Sequence, residues 1–208
     1  MKSVQGSFNI SIVGKWNKFI LSPNWVKKFL FENKEIQVAF PLELTEPYFY
    51  EGIDKGIRFI PQEDRVLLVA LREEDELLKQ IDNMLLILIS ELNKTPIIGI
   101  GYNYRFFEDR NKCDIENTYI LKDESKIKAN EYNIRNTQII RNLSYKGLEI
   151  NETVTYSTDK YSIDFNFHNP INNIDEYIDI LKSGEQGIIK CRDIALSFLT
   201  NVYGLKLE

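Results

Sequence analysis

Strand-like runs in this chain follow one another directly, with only short breaks between them. From residue 133 to 167, "NIRNTQIIRNLSY", "LEINETVTY" and "YSIDFNF" carry apolar and polar side chains at period two, separated by Lys146-Gly147 and by "STDK". Breaks this short close hairpins and leave no room for the crossover that a parallel pair requires. The same order occurs earlier, where "GIRFIPQEDRVLLVAL" places two β-rich runs around "PQED", with Pro61 fixing one turn dihedral. The run Val66 to Leu71 is apolar on both faces, which predicts a strand in the middle of a sheet covered on both sides. Consecutive strands followed by helices predict an α+β fold: mainly antiparallel sheets packed against a long central helix, with a three-strand meander and two helices in the second half.

The remaining elements follow from local pattern. In "FNISIVG", Phe8, Ile10 and Ile12 alternate as in a strand, and "EIQVAF" repeats this with Ile36, Val38 and Phe40 before Pro41. "SPNWVKKFLF" reads as a short helix with Ser22 as N-cap and Pro23 at the first helical position. The strongest helix is "EEDELLKQIDNMLLILISELNK", in which Leu77, Ile81, Met84 or Leu85, Leu88 and Leu92 keep helical spacing behind an acidic first turn. Near the C-terminus, "NNIDEYIDILKSG" has an asparagine cap and a closing Gly184. "GIIKCRDIALSFLTNVYG" predicts a last helix with Ile194, Phe198, Leu199 and Val202 turned inward and Gly204 at its end. Three parts follow, in one compact unit: a first α+β half over 1–107, a charged connector over 108–131, and a second half over 132–208. Both halves run strands then helix, with no residue-level repeat.

The stretch "TPIIGIGYNYRF", residues 95–106, tests for a nucleotide loop. A phosphate cradle runs strand, glycine turn, helix, so that helical amides point at the anion. Here the long helix precedes the glycines, and Tyr104 stands where a third glycine would be. Ile98, Ile100, Tyr102, Tyr104 and Phe106 instead share one face of a strand, with Gly99, Gly101, Asn103 and Arg105 on the other. The glycines are expected to let the long helix or another backbone approach. Asn103 and Arg105 beside them either line a shallow groove or face water.

With 26 basic and 31 acidic residues the net charge is −5, which argues against broad adhesion to nucleic acid or anionic membranes. No apolar stretch approaches the roughly 20 residues of a membrane span, and "MKSVQGSFNI" lacks a signal-peptide core. Cys113 and Cys191, far apart, read as reduced thiols. Together these predict a soluble cytoplasmic protein, and frequent Asn, Ile, Lys and Tyr suggest a bacterial or mobile-element source.

Catalytic motifs are weak. His168 is the sole histidine, and Asp164 on its strand face lies roughly 13 Å along the chain, too far to orient it directly. His168 with the two cysteines lacks the paired spacing of a zinc site. Gly14-Lys15 lacks the earlier glycine of a Walker loop and is followed by Trp16 instead of Ser or Thr. Glu124-Ser-Lys126, with Asp114 upstream, resembles the E-x-K part of a restriction-type nuclease core, but its surroundings are charged and unlike the apolar strand such a core occupies. The acids at 73–76 read as a solvated helix start. The large rings Trp16, Trp25, Tyr48, Phe49 and Tyr50 lie near loops and helix starts, where they either form a partner surface or plug the core.

These observations predict a non-enzymatic module without cofactor or metal that binds another protein or itself. Its contact surface would be an exposed edge strand of the meander or the aromatic groups. The alternatives are a metal-dependent hydrolase of nuclease type and a small-ligand binder using Gly99, Gly101, Asn103 and Arg105.

Overall fold

A computed structural model describes residues 1–43, 47–109, 115, 121, 123–157 and 159–205. In chain order the elements are β1 (Lys2–Ser3), β2 (Phe8–Gly14), α1 (Pro23–Phe29), β3 (Ile36–Ala39), β4 (Phe49–Gly52), β5 (Ile57–Pro61), β6 (Arg65–Ala70) and α2 (Asp75–Glu91). They continue as β7 (Ile97–Asp109), α3 (Glu124–Ala129), β8 (Asn136–Tyr145), β9 (Leu148–Ser157), β10 (Lys160–Pro170), α4 (Ile174–Ser183) and α5 (Ile188–Tyr203).

All ten strands join one antiparallel open sheet in the order β3-β4-β5-β6-β2-β7-β10-β9-β8, with β1 also paired to β7. The fold is α+β, and the expectation of separate sheets is corrected to a single one. It is continuous because β7 pairs with β2 on one side and β10 on the other, the latter from Asp109↔Lys160 to Gly99↔Pro170. The predicted halves therefore share a ladder.

The helices cover one face. There Phe8, Ile10 and Ile12 of β2, Tyr102, Tyr104 and Phe106 of β7, and Ile163, Phe165 and Phe167 of β10 are buried. Their rings meet edge to face: Phe8 with Tyr104 at 5.1 Å, Tyr104 with Phe167 at 5.8 Å, and Phe165 with Phe198 of α5 at 5.7 Å. Helix α2 buries Leu77, Leu78, Ile81, Met84, Leu85, Leu88 and Ile89 and touches β6, α1, α4 and α5. It is one member of a helical layer, not a lone centre.

Local signals account for the ends of elements. Ser22 accepts from the Trp25 amide at the start of α1, which has Pro23 in its first turn, and Asn173 accepts from Asp175 at the start of α4. Gly184 and Gly204 close α4 and α5 in the left-handed region, at φ 71° and 67°.

Two facings differ from the pattern. Ile98 is 66 % exposed, because the β2–β7 register shifts between Val13 and Gly14 and brings Ile97 inward opposite Gly14. In α5 the buried stripe is Ile188, Cys191, Ala195 and Leu199, whereas Val202 is 51 % exposed. Ile194 and Phe198 sit at its border, half-buried. Between β5 and β2, strand β6 buries Val66, Leu68, Val69 and Ala70.

At Gly14 an added Cβ would stand 2.6 Å from the Pro96 carbonyl oxygen, a backbone atom that cannot rotate away. Gly14→Ala is expected to cost about 1–3 kcal/mol, visible as a Tm drop of about 2–4 °C per kcal/mol in thermal denaturation. An unchanged Tm would mean that the β7 start moves freely.

Candidate functional site

The face of the sheet opposite the helices carries a level of asparagines. Cross-strand register places Asn9 of β2 opposite Asn103 of β7, Asn103 opposite Asn166 of β10, Asn166 opposite Asn151 of β9, and Asn151 opposite Asn142 of β8. Directly opposed residues point to the same face, so five adjacent strands present one line of carboxamides.

Four of them are joined head to tail. Asn151 Nδ2 donates to Asn166 Oδ1 at 3.1 Å, Asn166 Nδ2 to Asn103 Oδ1 at 2.8 Å, and Asn103 Nδ2 to Asn9 Oδ1 at 2.9 Å. Asn9 Nδ2 ends the line on the Ser7 carbonyl at 3.1 Å, and Asn103 Nδ2 also reaches the Gly101 carbonyl at 3.4 Å. The line has one direction throughout.

The glycines of β7 belong to this arrangement. A Cβ on Gly101 would lie 2.6 Å from Asn166 Nδ2, and one on Gly99 would lie 3.1 Å from His168 Cε1. The strand reading of 97–106 is what the structure has, but the space serves neighbouring side chains on the open face. Among the described residues no helix lies against these glycines, which corrects the helix half of that expectation; the backbone that comes nearest is the paired strand β10, with the Asn169 carbonyl oxygen 3.5 Å from the Gly99 position.

One step along the strands, Arg105 forms an ion pair with Asp164, which also accepts from Ser162 Oγ at 3.2 Å. Ser7 Oγ donates to the Arg105 carbonyl at 3.1 Å and fastens the turn over residues 4–7 to the sheet. That turn walls a groove of about 470 Å³ whose floor includes Asn9, Asn103, Asn151, Asn166 and Thr153.

Of the four residues of the candidate binding face, Asn103 and Arg105 line this groove, while Gly99 and Gly101 lie against the His168 and Asn166 side chains. Other candidates are placed differently. His168 stands in register with Gly101 and Glu149, and Asp164 is engaged with Arg105, so the two are not brought together. Trp16 is buried and donates its indole N–H to the Ile12 carbonyl at 3.1 Å; Tyr50 is buried and donates to the Leu21 carbonyl at 2.7 Å. Both plug the core and offer no ring to a partner. Trp25 is half-buried against Phe29 with ring centroids 4.9 Å apart, and Tyr48 is half-buried between Phe40 and Tyr50. Glu124 opens helix α3 and accepts from the Tyr156 hydroxyl at 3.3 Å; the E-x-K stretch is helical, unlike a nuclease core strand. Cys113 and Asp114 lie outside the described residues, while Cys191 is a buried free thiol. Among the described residues no three His, Cys, Asp or Glu side chains converge on a metal position, and no helix is long and apolar enough to cross a membrane.

Among the acids on the helix side that sequence patterns did not single out are Glu152 and Asp82. Glu152 is fully buried on β9 beneath the Tyr203 hydroxyl, and burial raises its carboxyl against the opposing effects of that hydroxyl and of Arg141. Asp82 of α2 accepts the Ile188 amide at 3.0 and 3.1 Å, at the start of α5. Burial raises Asp82 from 3.8 to about 7, with the Ile188 hydrogen bond lowering it by less.

Comparison with protein-family models and with curated protein sequences gives no match.

Asp82 sets a pH dependence with a definite sign. A carboxyl whose folded pKa is raised stabilises the fold below its unfolded value, and that contribution is lost as pH rises from about 4 through about 7. Asp82→Asn keeps an acceptor for Ile188 and removes the charge. Its Tm should match wild type at pH 4 and exceed it at pH 8 by about 3 °C per kcal/mol relieved. Equal Tm values at both pH values would contradict this.

Proposed function

We propose that this chain is a non-enzymatic module that binds another protein, or another copy of itself, by adding a strand to the outer edge of β8. The observation that supports this reading most is the edge itself. β8 ends the strand order, runs from Asn136 to Tyr145, and is therefore roughly 34 Å long.

The tight turn fixes which backbone groups face outward. Lys146 and Gly147 have φ 50° and 82°, the pattern of a two-residue hairpin turn. Tyr145 and Leu148 then form the closing hydrogen-bonded pair, and bonded pairs recur at every second residue. The N–H and C=O groups of Gln138, Ile140 and Asn142 consequently point away from β9.

Native edges are commonly blunted by lysine, proline or a bulge. The sequence "NTQIIRNLSY" has neither lysine nor proline, its pairing with β9 is unbroken, and Ile140 is 63 % exposed. An added strand would meet a full ladder and an apolar side chain at its midpoint.

Light scattering on the full chain tests this, with a pull-down run in parallel. Wild type should show a mass above 24.4 kDa at high concentration or retain a partner. Ile140→Pro removes one outward N–H at a position where an edge tolerates proline, and Ile140→Lys adds a blocking charge. Both should weaken association at least tenfold while keeping a cooperative unfolding transition. A wild type that stays monomeric without a partner, or association unchanged in both variants, would overturn the proposal.

A further inference from the structure

We infer that the asparagine line and the groove above it form a binding site for a neutral, hydroxyl-rich ligand, an oligosaccharide segment. This inference is independent of the β8 edge.

The residue choice is the first argument. Asparagine is among the residues depleted in strands, yet it occupies the same level of β2, β7, β10, β9 and β8. Val, Ile or Thr at these half-open positions would suit a sheet better. Gly101, also unfavourable in a strand, is what leaves room for the Asn166 amide. A repeated departure from strand preference at one level, with a glycine accommodating it, is the signature of a built site.

Hydrogen-bond accounting gives the ligand class. A carboxamide offers two N–H donors and two lone pairs. Within the line each carboxamide oxygen keeps a lone pair, and Asn9, Asn151 and Asn166 each keep a second N–H. Donors and acceptors therefore repeat across strands about 4.8 Å apart. A hydroxyl group is both donor and acceptor, so a row of hydroxyls can satisfy such an array in either sense.

Charge and shape exclude other ligands. Among the described groove residues the charged ones are Arg105 and Asp164, which are paired, so no net charge is left to hold a phosphate or carboxylate. Tyr104 and Phe165 direct their rings into the core, leaving a flat nucleobase without a stacking partner. The volume of about 470 Å³ falls in the usual range for small-ligand sites.

The test is an array of neutral oligosaccharides based on glucose, galactose, mannose and N-acetylglucosamine, with acidic uronic-acid oligomers beside them, followed by calorimetry on the best ligand. A neutral oligosaccharide should bind best. Asn103→Thr and Asn166→Thr should weaken it at least tenfold without lowering Tm, since threonine suits a strand. Thr153→Tyr fills the groove without altering an amide and should also abolish binding, which decides the matter if the asparagine variants misfold. Ile140→Pro should leave sugar binding unchanged. No binding to any neutral oligosaccharide, a preference for the acidic ones, or unchanged affinity in Thr153→Tyr would overturn the inference.

Discussion

The ladder between β7 and β10 is the joint on which both faces of the sheet depend. It runs unbroken from Asp109↔Lys160 to Gly99↔Pro170, while β2 holds the opposite side of β7. Side chains alternate along a strand, so a slip of one residue would turn Phe165 and Phe167 outward and send Asp164 and Asn166 into the core. The aromatic interior and the amide line are two outcomes of one register.

On the helix side that register is backed by specific anchors. The Tyr104 hydroxyl donates to the Ile188 carbonyl, and Asp82 takes the amide of the same residue, so the start of α5 is tied both to the sheet and to α2. The Tyr203 hydroxyl reaches Glu152 near the other end of α5. Phe198 between them meets Phe165. The helix is thus fixed along its length against one face of the sheet.

Much of the fold was legible because its causes are local. Alternation identifies β2, β7 and β10, and Ser22-Pro23, Asn173 and Gly184 mark helix ends through groups that act within a turn. The order of strands was not legible, since nothing near Ile10 in the sequence says that its neighbours are Leu68 and Tyr102. The facing of Ile98 depends on a register shift in the partner strand, and the rotation of α5 depends on what it packs against. The site was half visible. Asn103 and Arg105 stood out beside the glycines, but Asn9, Asn151 and Asn166 become one line only when strands distant in sequence are laid side by side. The burial of Tyr50 likewise rests on the Leu21 carbonyl, a partner distant in sequence that only the fold brings near, whereas Trp16 donates to the Ile12 carbonyl four residues back.

The head-to-tail bonding of the four carboxamides makes them a coupled unit. If Asn103 alone rotated by half a turn, its amino group would face the amino group of Asn166 and its oxygen would face the oxygen of Asn9. Each such mismatch forfeits a hydrogen bond and sets like partial charges together. Reversing the whole line would set the Asn9 oxygen against the Ser7 carbonyl and the Asn103 oxygen toward the Gly101 carbonyl, two groups that only accept, so the backbone at the β2 end fixes the sense of all four amides.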